Sequence, residues 1–78
     1  MRNDLHLGNI IYDTFRYTLS ELNKTRINTN QWFEVEQLNI NESKNTGIAI
    51  IKDCKTNKYI NCIWDNDTDL WIEIKKGE

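Results

Sequence analysis

The stretch Asn9-Ile10-Ile11-Tyr12-Asp13-Thr14-Phe15-Arg16-Tyr17-Thr18-Leu19-Ser20-Glu21-Leu22-Asn23-Lys24 decides what the rest of the chain packs against. At about 100° per residue, Ile11, Phe15, Thr18, Leu19 and Leu22 fall on one stripe, and Leu7 joins it if the element begins earlier. Asn9 is available as an N-cap and no proline interrupts the run. The spacing therefore predicts a helix within residues 5–24, with that stripe facing the core. Ile10 and Tyr17 lie together on the other side beside Thr14 and Glu21, either as isolated surface residues or as a second contact stripe.

Outward from the helix, Asn23–Asn30 is polar and turn-rich and reads as a connection. A first strand is expected over residues 31–41. Its apolar phase changes, since Phe33 and Val35 are odd whereas Leu38 and Ile40 are even, which places a β-bulge near Glu36-Gln37. A short helix over Trp32–Leu38 fits the same residues moderately well.

From Thr46 the pattern is that of three apolar strands, at 47–54, 58–65 and 70–76, separated by Lys55-Thr56-Asn57 and Asp65-Asn66-Asp67-Thr68-Asp69. Asn57 can take the left-handed conformation that closes a three-residue turn, and the Asx-rich loop can bond its own backbone. With residue 54 facing 58 and residue 64 facing 70, one face carries Ile48, Ile50, Ile60, Cys62, Trp64, Leu70, Ile72 and Ile74. That face would take the helix. The opposite face is then built from the rows Ala49-Ile63-Trp71, Ile51-Asn61-Glu73 and Asp53-Tyr59-Lys75, with no element left to cover it. The expected fold is α+β, a single domain over residues 1–78 in which an N-terminal helix packs on a four-stranded antiparallel β-meander.

Composition bounds the function. At 78 residues with 38% hydrophobic and 28% charged side chains, the chain is too apolar for a disordered protein and too polar for a helical membrane protein. No apolar run reaches the roughly 18 residues of a membrane span, and Met1-Arg2-Asn3-Asp4 opens no signal peptide, so a cytoplasmic location is expected. The net charge of −2 is spread evenly, which denies a nucleic acid the basic field it needs. Cys54 and Cys62 fall on neighbouring strands but out of direct opposition, which favours free thiols. Eleven Asn, eleven Ile and seven Lys, all specified by AT-rich codons, hint at a low-GC bacterium or one of its mobile elements.

Catalysis and metal binding find little in this chain. Asp65-Asn66-Asp67-Thr68-Asp69 begins like a calcium loop, but Leu70 stands where the sharp turn needs Gly and Lys76 where a bidentate Glu is required. His6 is the single histidine and has no nucleophile near it in sequence, while Cys62 falls in the expected core as a small hydrophobe. Glu34 and Glu36 alternate on one strand face, which is usually the solvent side. No cofactor, metal or enzymatic activity is expected.

Aromatic residues are the informative ones. Trp64 is expected in the core, whereas Trp71 stands on the uncovered face with Ile63, Ile51, Tyr59, Asn61 and Glu73 around it, the composition of an interface anchor. Ile10 and Tyr17 on the helix are the second candidate surface. The expectation is a small protein-binding module, by analogy an inhibitor of a host or defence protein carried by a phage or mobile element. A structural homodimer is the first alternative. A nucleotide or oligonucleotide binder stacking on Tyr59 and Trp71 is the other, and charge weighs against it.

Overall fold

Ile10–Leu19 form a strand, β1, in the computed structural model, which describes residues 5–19 and 24–74. Four more strands follow: β2 (Lys24–Asn41), β3 (Thr46–Asp53), β4 (Tyr59–Asp65) and β5 (Leu70–Ile74). They close into a barrel in the order β1-β2-β3-β4-β5. The fold is therefore all-β, and the expected α+β arrangement with an N-terminal helix is wrong, there being no helix among the described residues. The expected end of the helix at 20–23 and of the last strand at Lys75-Lys76 lie outside those residues.

Two physical reasons explain why this segment is a strand. Ile10, Ile11, Tyr12, Thr14, Phe15, Tyr17 and Thr18 are β-branched or aromatic, side chains that lose rotamer freedom in a helix and fit a pleated surface. An open meander would also leave two unpaired edges, whereas β1 pairs with β2 on one side and β5 on the other. Successive hairpin strands alternate in direction, so the first and fifth must run the same way. The closing ladder is accordingly parallel, over Tyr17, Thr18 and Leu19 opposite Ile72, Glu73 and Ile74.

β2 is the longest element and could not be straight. Its 18 residues would span about 59 Å at ~3.3 Å each, against a longest molecular dimension of 34 Å. Two irregularities bend it. Opposite β1 the register shifts between Asp13 and Phe15, where Asn30 adopts φ 47 and the Thr29 hydroxyl donates to the Asp13 carbonyl at 2.9 Å. Opposite β3 it shifts between Val35 and Gln37, the bulge that the phase change of the apolar residues indicates. The expected connection at 24–30 is thus the first part of β2, and the alternative helix at 32–38 is excluded.

The hairpins sit where the sequence places them, but each pairs one residue away from the expected register. Lys52 faces Tyr59 and Trp64 faces Trp71. Asp53 and Asp65, read as strand interior and loop, are each the last residue of their strand before the turn. The Asp53 carboxylate accepts from the Lys55 and Thr56 amides at 2.8 and 3.3 Å, and Asp65 from the Thr68 amide and hydroxyl at 3.0 and 2.6 Å. A one-residue slip exchanges the faces. Ile48 is consequently 58% exposed and Ile50 half-buried, while Ala49 and Ile51 point inward. The core is Leu5, Phe33, Val35, Ala49, Ile51 and Cys62, with Ile11, Leu38, Ile60 and Trp71 packed against it. Ile72 is fully buried as expected, yet its ladder partners Ile63 and Tyr17 put it on the outer side of the sheet.

Candidate functional site

Alternation along β2 sends Phe33 and Val35 into the barrel and therefore Trp32 and Glu34 out of it. Trp32 pairs across the ladder with Tyr12, and the two rings pack with centroids 5.1 Å apart, tilted by 59°. One step along the ladder, Ile10, Glu34, Lys52 and Tyr59 form a continuous row across β1, β2, β3 and β4. Three interstrand gaps of ~4.8 Å make that row about 14 Å wide. Ile10, Tyr12, Trp32 and Tyr59 are 60%, 51%, 56% and 65% exposed, so this outer face presents three aromatics and an isoleucine to solvent together.

The polar members of the patch are tied to one another. Lys52 Nζ lies 3.4 Å from Glu36 Oε1 and 3.8 Å from Glu34 Oε1. The hydrogen bond to Glu36 first, and the charge of Glu34 second, raise the Lys52 ammonium above its ordinary range. Glu34 and Lys52 stand between Ile10 and Tyr59 in the row, so these ion-paired charges separate Tyr59 from the Tyr12–Trp32 pair. The Cys54 amide donates to the Trp32 carbonyl at 3.0 Å, which anchors the Trp32 backbone against the turn after β3.

The expected binding residues are dispersed by the true register. Ile10 and Tyr59 stand at opposite ends of the row just described, and Asn61 is exposed on β4. Ile63 and Tyr17 flank the buried Ile72 elsewhere on the outer surface, in a row that continues to the exposed Ile48. Ile51 is in the core, and Glu73 faces the same side as the buried Cys62. Trp71 is half-buried, packed edge-on against Trp64 at 5.5 Å and against the core, so the open face centred on it does not exist. The sequence reading did not bring Trp32 and Tyr12 together, which the structure packs as an exposed ring pair. The signal was parity: once Phe33 and Val35 face the core, Trp32 faces solvent.

A second site lies where the barrel closes. β5 pairs with β1 only from Tyr17 onward, and a cleft of about 320 Å³ is lined by β1 residues 11–17 together with Leu5, Leu70 and Trp71. Arg16 lines it with 5% exposure. Its guanidinium stacks on Phe33 with the carbon 4.1 Å from the ring centroid, and Nη2 donates to Asp13 Oδ2 at 2.8 Å. Among the described residues Nη1 is buried without a hydrogen-bond partner, as are the indole nitrogens of Trp64 and Trp71 and the Thr18 hydroxyl. Nearby, burial pushes the Cys62 thiol up to about 12; the Arg16 charge opposes this, while Glu73 and Asp13 reinforce it. Cys54 is exposed, and both thiols are free.

Among the described residues no group of three or more His, Cys, Asp or Glu side chains is placed to hold a metal ion, and no helix is long and apolar enough to cross a membrane. No protein-family model, no curated protein and no solved structure matches the chain.

Proposed function

We propose that the chain works by binding another protein through the Tyr12–Trp32 face of the barrel. The observation that carries this reading is the ring pair itself. Two large aromatics packed together on an outer strand face, each more than half exposed, supply rigid contact area at little cost in conformational entropy. The surrounding residues fit the role: Ile10 extends the apolar area, Tyr59 adds an exposed ring beyond the Glu34 and Lys52 charges, and the Lys52–Glu34–Glu36 group provides charges that set orientation and exclude wrong partners. The reading keeps a binding module of the kind expected from the sequence, including an inhibitor from a mobile element of a low-GC bacterium, and moves its surface to β1–β4.

The test compares immobilised wild type with Trp32→Ala and Tyr12→Ala in capture from a low-GC bacterial lysate, with circular dichroism to verify folding. Loss of the same captured protein in both folded variants supports the surface. Unchanged capture places the contact elsewhere, with the Ile48–Ile63–Tyr17 row as the next surface to vary.

A further inference from the structure

Strand pairing around the barrel is incomplete at its closure. β5 meets β1 only at Tyr17, Thr18 and Leu19, although β1 begins at Ile10. From Ile10 to Arg16, β1 therefore runs beside β2 on one side and, among the described residues, beside no strand on the other. The cleft of about 320 Å³ follows that open side. Side chains alternate between the two faces of a strand, so a hollow on either face would touch every second residue. This one is lined by each residue from Ile11 to Tyr17, as a hollow is when it runs along the backbone edge itself. An open edge carries main-chain N–H and C=O groups that another extended chain can pair with, and at ~3.3 Å per residue this one is about 23 Å long.

Edges of that length are normally blunted by lysine, proline or a covering loop. Ile10-Ile11-Tyr12-Asp13-Thr14-Phe15-Arg16 holds neither lysine nor proline, and its two charges are joined to each other at 2.8 Å. The cleft's remaining walls, Leu5, Leu70 and Trp71, are apolar, so the inward side chains of an added strand meet hydrocarbon and no unmatched charge. Leu70 and Trp71 also bound the cleft where β5 begins, which leaves room for one extended segment and not for a strand of a second barrel with its own sheet attached. We propose that this edge of β1 binds an extended segment of a partner protein by strand addition, the segment being uncharged and apolar at every second residue. Its main chain completes the ladder that β5 leaves off. The inference does not rest on the Tyr12–Trp32 face. The rings of that pair lie on the outer face, whereas the added strand uses the backbone of β1; Trp32 belongs to β2, one strand in from the edge, and does not line the cleft.

The probe is acetyl-Thr-Val-Thr-Val-Thr-Val-Thr-amide. Two controls accompany it: the same peptide N-methylated at two successive central nitrogens, which blocks both of its edges because neighbouring residues direct their N–H groups oppositely, and a version with glutamine for each valine. Binding and amide hydrogen exchange are followed by NMR on isotope-labelled wild type and Trp32→Ala. In free wild type, about every second amide from Ile10 to Arg16 should exchange as fast as loop amides. The peptide should slow those amides about tenfold at about nine-tenths occupancy. Both controls should bind at least about tenfold more weakly, and Trp32→Ala should bind the peptide within about twofold of wild type. The inference is overturned if the β1 amides are all protected in the free protein, whether by this chain or by a second copy, or if millimolar peptide leaves them unchanged. It is equally overturned if either control binds as well, or if Trp32→Ala loses the peptide, which would put it on the rings. Edge and face thus fail separately: peptide binding in wild type decides the first, and lysate capture by Trp32→Ala the second.

Discussion

The Asn57 amide donates to the Asp53 carbonyl at 2.8 Å, while Asn57 itself is left-handed with φ 60. An Asx residue followed four positions later by a left-handed Asn or Asp recurs at the other two described turns. Asn41 and Asn45 bracket the turn between β2 and β3, and Asp65 and Asp69 that between β4 and β5, with Asn45 at φ 55 and Asp69 at φ 58. In each the first residue's side chain accepts a bond from within the turn, and the last takes the conformation that only Gly, Asn and Asp adopt cheaply. Asp53→Ala should therefore cost about 1–2 kcal/mol, because two turn amides lose their acceptor. Asn57→Ala should cost about 1–2 kcal/mol through backbone strain, and Asn57→Gly should stay within about 0.5 kcal/mol of wild type. Urea denaturation of the three variants checks the ordering Gly above both alanines. An Asn57→Ala variant as stable as wild type would contradict the turn geometry.

Those Asx pairs show what was legible in the sequence and what was not. The residues at 41, 53 and 65 recur at equal steps, each followed four positions later by Asn or Asp, so the position of every described hairpin could be read. Register could not, because an Asx residue that opens a turn still belongs to the ladder, and taking it as loop or strand interior slips the pairing by one. The bulge in β2 was readable from Phe33 and Val35 changing phase against Leu38 and Ile40. β1 was not. Arg16 and Thr18 are buried polar residues, and a strand whose inward side is half polar shows no alternation of hydrophobicity. The helix-like spacing of Ile11, Phe15 and Leu19 was left as the only visible period. Trp32 was obscured for a related reason, since the segment around it fitted helix and strand almost equally.

Gly47 illustrates how tightly the two inner tryptophans constrain β3. A Cβ there would sit 2.8 Å from the Trp71 ring at Cη2 and 3.4 Å from the Trp64 Cβ. The indole cannot swing away freely, because it packs on Trp64 and the core. Gly47→Ala should destabilise by about 1–3 kcal/mol and alter tryptophan emission. Combining it with Trp71→Leu should cost less than the sum of the two single changes, a coupling that thermal melts of the cycle would reveal. Strict additivity would show that the contact is relieved without cost.

Cys62 and Cys54 should differ sharply in reactivity. An aromatic disulfide reagent near pH 8 should label Cys54 at once and Cys62 only on unfolding, since burial holds the Cys62 thiol up to about 12. The sign of the linked stability follows from that elevation. The folded-state value lies above the unfolded one, so the neutral thiol's contribution is complete below about 9 and is lost as pH rises from there toward about 12. Lysine and tyrosine also titrate in this range, so the measurement is the difference between wild type and Cys62→Ala. The variant should be less stable at neutral pH and should lose less stability over the alkaline window. Equal alkaline slopes would mean that Cys62 is not shielded from water.

Adjacent residues on β2 separate binding from folding. Trp32 points outward and is 56% exposed, whereas Phe33 is 1% exposed and carries the Arg16 guanidinium on its ring. Truncating Phe33 leaves a cavity and strips a buried cation of its aromatic partner, so Phe33→Ala should cost about 3–5 kcal/mol, enough to unfold a domain of this size. Trp32→Ala removes mainly the contact with Tyr12, and should change stability by less than about 1 kcal/mol. Its effect should fall on association: truncation of an interface anchor typically costs about 2 kcal/mol, or a roughly thirtyfold weaker complex. Melting temperature and isothermal titration with the captured partner measure the two effects separately. A Trp32→Ala protein that melts as early as Phe33→Ala would make the ring pair part of the barrel's own stability, and one that binds as tightly as wild type would remove this face from the interface.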